Sequence, residues 1–265
     1  MNNTFNMNRF GLLLKRQWLE FGKIYLISFG VLLGVLILFY KINITEDNLN
    51  SRYYNSLNFR HPLFLVTGFI FISITSSSYF MNLGQKPKAI INILIPASTL
   101  EKFLTAMFYT LIVSIPSYLL CFYLVDAAFV SSIRDSHTLT SSYTDYDGKK
   151  IVIDHFAYFF STETAIQFRS FYYMPLLINS IFLLGSIFFK NFHYVKTAIS
   201  LMVFVVLWIA STIYVMSKLT DNTVWVGSPY WQDETHIFFA TNLVALCLTM
   251  IFWLITFIRL KEKEA

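Results

Sequence analysis

Residues 81–103 read MNLGQKPKAIINILIPASTLEKF and lie between two long apolar segments, so the chain is organised around this loop. Gly84 ends the preceding apolar run, and Lys86 and Lys88 flank Pro87, whose missing N–H suits the first turn of a new short helix. From Lys88 to Ile95 the residues divide at helical spacing, with Lys88 and Asn92 on one stripe and Ile90, Ile91, Leu94 and Ile95 on the other. Pro96 stops this small amphipathic helix. Ser98, followed three residues later by Glu101, is a capping-box pattern that opens the next helix. The stretch reads as a docking helix for a partner protein. A surface-lying interfacial helix and a β-prone run are the alternatives, the second because Ile90 to Ile95 is rich in β-branched residues.

Working outward, 56% of the 265 residues are hydrophobic and only 13% are charged, against about a quarter in soluble domains, so the chain belongs in a membrane. Six stretches carry no charge: 24–40, 61–85, 103–125, 170–189, 197–217 and 235–258. Each is close to the roughly 20 residues that cross a hydrocarbon core of about 30 Å as a helix. Their continuous apolarity predicts helices, since barrel strands would alternate. The expected fold is therefore an all-α integral membrane protein of six transmembrane helices, in one domain spanning 1–265.

Twelve of the twenty lysines and arginines fall in 9–23, 86–102, 190–196 and 259–263, whereas eleven of the fifteen acidic residues fall in the alternate segments. The positive-inside rule then places both termini, the 81–103 loop and the turn at 190–196 in the cytoplasm. The net charge of +5 expresses this bias. No basic and aromatic cluster lies away from the membrane flanks, so no nucleic-acid partner is expected. No small-residue cleavage pattern follows the first apolar run, and the first helix is expected to stay in the mature protein. Cys121 and Cys247 both fall inside predicted helices, which argues against a disulfide framework.

Along the chain, Phe10, Leu13, Leu14, Trp18 and Phe21 recur at helical spacing opposite Arg9, Arg16, Glu20 and Lys23, an amphipathic interfacial helix on membrane lipid. Gly30 and Gly34 have the GxxxG spacing that lets another helix pack closely. Thr75, Ser76, Ser77, Ser78 and Tyr79 give the second span an unusual density of hydroxyls. They are candidates for a translocation path, or they bond to their own backbone carbonyls or pack on a neighbour. Pro116 is expected to kink the third span and free a carbonyl. Asp126 closes that span on the outer side, and Asp147-Gly148 between polar and β-branched runs predicts a small extracytoplasmic β-hairpin. Trp225, Tyr230 and Trp231 read as an interface belt.

Several chemistries have no residues to carry them. No Asp, Glu, Lys or Arg lies within the six uncharged stretches, which disfavours ion- or proton-coupled carriers. The Gly-Lys pairs at 22–23 and 148–149 do not continue as phosphate-binding loops. The five histidines are scattered, and no nucleophile elbow is present, so no catalytic residue and no metal site is expected.

Six helices with both ends inside, an N-terminal amphipathic helix and a cytoplasmic loop after the second span resemble the permease subunit of an ABC-2 type transporter. Residues 95–103, IPASTLEKF, are similar to the L-P-A-S-x-x-E-K stretch of bacterial members, especially those from Bacteroidetes, with Ile95 in place of Leu. The resemblance implies that Lys88, Ile90, Ile91, Leu94, Ile95, Pro96, Ser98 and Glu101 couple the chain to a separate ABC ATP-binding subunit. It also implies a second permease chain, as homodimer or heterodimer. ATP and Mg would be bound by the partner subunit, so this chain has no cofactor and is not itself an enzyme. It implies an exporter in the bacterial cytoplasmic (inner) membrane. The longest outer loop here lies between the third and fourth helices, whereas the family often places it before the last. A secondary carrier or channel-like protein without an ATPase is the alternative.

Overall fold

The computed structural model describes residues 5–44, 57–84, 90, 94–136, 140–144, 150–154, 157–160, 173–219 and 234–264. The elements in order are α1 (Met7–Asn43), α2 (Arg60–Tyr79), a short 3₁₀ turn (Met81–Gly84), α3 (Thr99–Met107), a π-helical segment (Phe108–Val113) and α4 (Ser114–Ser136). After these come β1 (Thr140–Thr144), β2 (Lys150–Asp154), α5 (Met174–Phe188), α6 (His193–Leu219) and α7 (Glu234–Glu264). Among the described residues the fold is helical apart from the two strands, which pair antiparallel with Ser142 opposite Val152.

Among the described residues, five helical segments are long and apolar enough to cross a membrane: Met7–Asn43, Arg60–Tyr79, Thr99–Asp135, His193–Lys218 and Thr235–Lys263. The fourth expected span, 170–189, contains a helix of only 15 residues, α5. At 1.5 Å per residue that is about 22 Å, short of a bilayer core. Counting between charges does not show this, because residues 170–173 are uncharged and join the stretch, whereas Pro175 marks the first turn of α5.

The amphipathic segment at the N-terminus and the first span form one helix of 37 residues, α1, opened by the Asn6 side chain accepting from the Asn8 N–H at 2.9 Å. Nothing between Lys23 and Ile24 breaks it, since neither a proline nor a capping residue stands there. The stripe expected to face lipid packs partly on protein. Leu13 and Phe21 are buried, Trp18 stacks on Tyr109 at 6.0 Å, and the Tyr109 hydroxyl donates to the Leu14 carbonyl at 2.7 Å. Arg16 and Glu20 pair along the opposite face at 3.4 Å.

The break expected at Pro116 takes the form of the π segment just before it. Pro116 has no N–H to offer the Ile112 carbonyl, and the wider turn takes up the mismatch. The Ser114 hydroxyl donates to the Tyr109 carbonyl at 2.9 Å, across the same turn. The helix then continues beyond Asp126 to Ser136, so the carboxylate lies within α4 and does not end it.

The core is built from α1, α2, α4 and α5. Leu36, Tyr40, Phe122, Leu183 and Ile187 are among its fully buried residues. Close helix approach depends on glycines with no GxxxG partner. A Cβ on Gly68 would come within 2.8 Å of the Tyr118 ring, and one on Gly185 would overlap the Thr197 side chain where α5 meets α6. Lys263 at the end of α7 donates to the Ile187 carbonyl at 2.7 Å, a cation satisfying the C-terminal turn of α5.

Candidate functional site

Glu101 is the residue on which one end of the bundle closes. Its side chain has no solvent exposure. One carboxylate oxygen accepts from the Ser98 N–H at 2.8 Å, while the Ser98 hydroxyl accepts from the Glu101 N–H at 3.2 Å, completing the capping box. The other oxygen accepts from the Asn6 N–H at 2.8 Å and from Arg9 Nη2 at 3.1 Å. A single carboxylate thus caps α3 and holds the first turn of α1 beside it, at the positive end of both helix dipoles. The reciprocal cap is local, and the i, i+3 spacing predicts it. The contacts to Asn6 and Arg9 span 95 and 92 residues, and no local signal points to them.

The loop feeding this cap exposes its apolar residues. Leu94 N–H donates to the Ile90 carbonyl at 3.0 Å, one helical turn, and Ile90 and Leu94 are 59% and 74% exposed. Ile95 is half-buried, Pro96 is exposed, and Ala97 and Ser98 turn into the core. Lys88 and Ile91 lie outside the described residues. Beside the loop, a Cβ on Gly84 would meet the Lys190 carbonyl at 2.6 Å, so the 3₁₀ turn rests directly on the α5–α6 connection. In that connection Phe192 has φ of 55° and is 78% exposed, an unusual backbone for a bulky residue.

The hydroxyl-rich run lies in the interior of the bundle. Thr75, Ser76, Ser77 and Tyr79 are buried, while Ser78 is half-buried. Thr75 donates to the Phe71 and Ile72 carbonyls, Ser76 to Ile72 and Ser78 to Ile74, at 2.7 to 3.0 Å. These are the bonds a helix offers a hydroxyl when no water is near. Ser76 also accepts from Asn179 of α5 at 2.7 Å, and the same amide reaches the Thr110 carbonyl in the π segment at 3.4 Å. Asn179 therefore ties α2, α5 and the π segment together. Sequence reading missed it, although an amide inside an apolar run is a signal in itself.

At the opposite end, Asp126 and Arg60 form a buried pair at 2.9 Å, with 2% and 8% of their side chains exposed. Asp126 also accepts from the Tyr40 hydroxyl and the Phe159 N–H, each at 2.8 Å. Arg60 donates to the Leu57 and Ala157 carbonyls at 3.1 Å. The network joins α1, α2, α4 and residues 157–160. It also changes what the uncharged stretches imply, because an ion pair does lie inside the helical bundle. Each charge is matched by the other and by neutral hydrogen bonds.

Gly30 and Gly34 are exposed, and a Cβ on either would meet nothing within 4 Å. Among the described residues no helix uses their GxxxG face. Of the cysteines, Cys121 is buried and Cys247 is exposed.

Five long apolar helices define a multi-pass membrane protein. No protein-family model, curated protein or solved structure matches the chain.

Proposed function

We propose that the chain is the transmembrane permease subunit of an ATP-driven ABC-2 type transporter, an exporter whose ATP hydrolysis is supplied by a separate nucleotide-binding subunit. It would cross the bacterial cytoplasmic membrane six times, with both termini and the 81–103 loop inside and the strand pair outside. The observation that carries the reading is the Glu101 junction. The exposed Ile90 and Leu94 lead through Pro96 into a cap whose carboxylate also holds the start of α1. A push on the loop would reach α1 and α3 together. The π segment below α3 is the natural place for the movement to be taken up, since its hydrogen bonding is already irregular. The twelve basic residues in the segments expected inside support the orientation.

Leu94→Asp tests the reading. Leu94 makes an exposed surface, so the substitution costs the bundle little, whereas in a docked interface it buries an unpaired carboxylate. At normal expression, the variant should lose co-purification with the ATPase subunit and substrate-stimulated ATP hydrolysis by more than tenfold, about 1.4 kcal/mol. Lys88→Ala, on the polar stripe, should change both far less. Full binding and transport by the Asp variant would mean that the loop lies on lipid.

A further inference from the structure

We infer that the end of α5 is a binding site for the headgroup of an anionic phospholipid, with Lys190 and Lys196 as its exposed cations. Side chains from two other helices bring charge to three consecutive residues there. Lys263 of α7 donates to the Ile187 carbonyl at 2.7 Å, Arg259 of α7 lies over the Phe188 ring at 5.8 Å, and Lys196 of α6 lies over the Phe189 ring at 5.9 Å. Lys190 is the next residue, exposed and within electrostatic reach of Lys263. Four positive charges thus gather around the last turn of one short helix.

Such a gathering is costly, because like charges repel. The partial negative charge at the C-terminal end of α5 offsets some of the cost, and Glu262 pairs with Arg259 at 2.8 Å. Among the described residues no acidic side chain pairs with Lys190, Lys196 or Lys263. Residues 85–89 and 91–93, which follow the turn resting on Lys190, hold two lysines and no acid. The basic face of α1 differs, for Arg9 and Arg16 there are paired with Glu101 and Glu20. At the end of α5 the balancing anion is left to come from outside the chain.

The neighbouring apolar residues say which anion. Phe188, Val195 and Ile258 stand one or two positions before Lys190, Lys196 and Arg259, and they are 59%, 50% and 53% exposed. Both α6 and α7 are long and apolar enough to cross a membrane. Exposed apolar turns of such helices face hydrocarbon, so the cations just beyond them stand at headgroup depth. Phospholipid phosphates lie at that depth, and a lysine ammonium binds phosphate as a point charge. Phe192, between the two lysines, has φ of 55° and is 78% exposed, an aromatic ring of the kind that settles in this layer. An acidic protein face would match the charge but not the hydrocarbon contact of the same turns. The site needs only that the chain be inserted in a membrane, so it holds for either orientation and does not rest on the transporter reading.

Titration of the detergent-purified full-length chain with short-chain phosphatidylglycerol and phosphatidylcholine, read by thermal shift, tests it. Wild-type protein should bind the anionic lipid at least tenfold more tightly than the zwitterionic one, and inorganic phosphate at matched concentration should give no shift. Lys190→Gln with Lys196→Gln should cut the preference below threefold, whereas Lys190→Arg with Lys196→Arg should keep it. Lys15→Gln with Lys23→Gln removes the same charge from exposed positions on α1 and should also keep it. Equal losses in the two Gln pairs would mean a diffuse field and no site at α5. A Lys190→Gln, Lys196→Gln chain that keeps the full preference overturns the site. Wild-type protein without any preference overturns it too and leaves the surface to an acidic protein. A shift with phosphate as large as with the lipid would make the ligand a free anion and overturn the lipid.

Discussion

Asp126 receives three hydrogen bonds on two oxygens, and only one of them comes from a charge. That division sets the cost of changing each partner. Asp126→Asn keeps the shape but leaves the buried Arg60 guanidinium without a counter-charge, a loss of about 3–5 kcal/mol in systems where one member of a buried pair is removed. Tyr40→Phe removes one neutral donor and should cost about 1 kcal/mol. The double variant Arg60→Met with Asp126→Leu removes both charges together. It should recover at least half of the stability lost in Asp126→Asn, although Phe159 N–H and the Ala157 carbonyl then lose partners. Thermal midpoints in detergent would rank the three. A double variant no more stable than the single one would mean that the network matters through its neutral bonds to 157–160. Charge counting marks Asp126 as a stop because a carboxylate entering lipid is costly. The residue that removes this cost, Arg60, is 66 positions away, so the pair is invisible to any local reading.

Where two helices touch is decided by glycines that no spacing motif picks out. Gly68→Ala forces a methyl to 2.8 Å from the Tyr118 ring, so the α2–α4 crossing must open or the ring must shift, and overpacking of this kind costs about 1–3 kcal/mol. Gly30→Ala meets open space among the described residues and should leave the thermal midpoint of the monomer unchanged or slightly raised, by the helix propensity of alanine. Scanning calorimetry or a thermal shift on the two variants separates them. If Gly30→Ala is the more damaging, its GxxxG face is in use between chains. The long helices were readable because continuous apolarity over 20 residues has one physical solution in a bilayer, as in α2 and α7. The capping box at Ser98 was readable because its partners are three residues apart. The π segment was readable only as a disturbance near Pro116, since a missing N–H says that the ladder breaks but not how the turns before it absorb the break. The shortness of α5 was readable only from Pro175, which stands in its first turn, and not from charge counting, which places residues 170–173 in the same uncharged stretch.

At the scale of the whole chain, the helices alternate in direction when α3, the π segment and α4 are taken as one, and the contacts between their ends show which ends lie together. Asn6 and Arg9 meet Glu101, Gly84 meets Lys190, and Lys263 meets Ile187, all at one end; Tyr40, Arg60, Asp126 and Phe159 meet at the other. The first group carries the excess of lysine and arginine, and the membrane insertion bias makes that end cytoplasmic in the proposed topology. A cysteine introduced at Ser142, in β1, should then react with a membrane-impermeant maleimide added to intact cells. One introduced at Asn191, which is exposed in the α5–α6 turn at the other end, should react only after the membrane is opened. Both need a background with Cys121 and Cys247 replaced by alanine, so that the introduced thiol is the only one present. Labelling of the Asn191→Cys chain in intact cells with protection at Ser142→Cys would invert the bundle. The exposed Ile90 and Leu94 would then face outward, where no ATPase could dock, and the coupling role of the Glu101 junction would fall with the orientation.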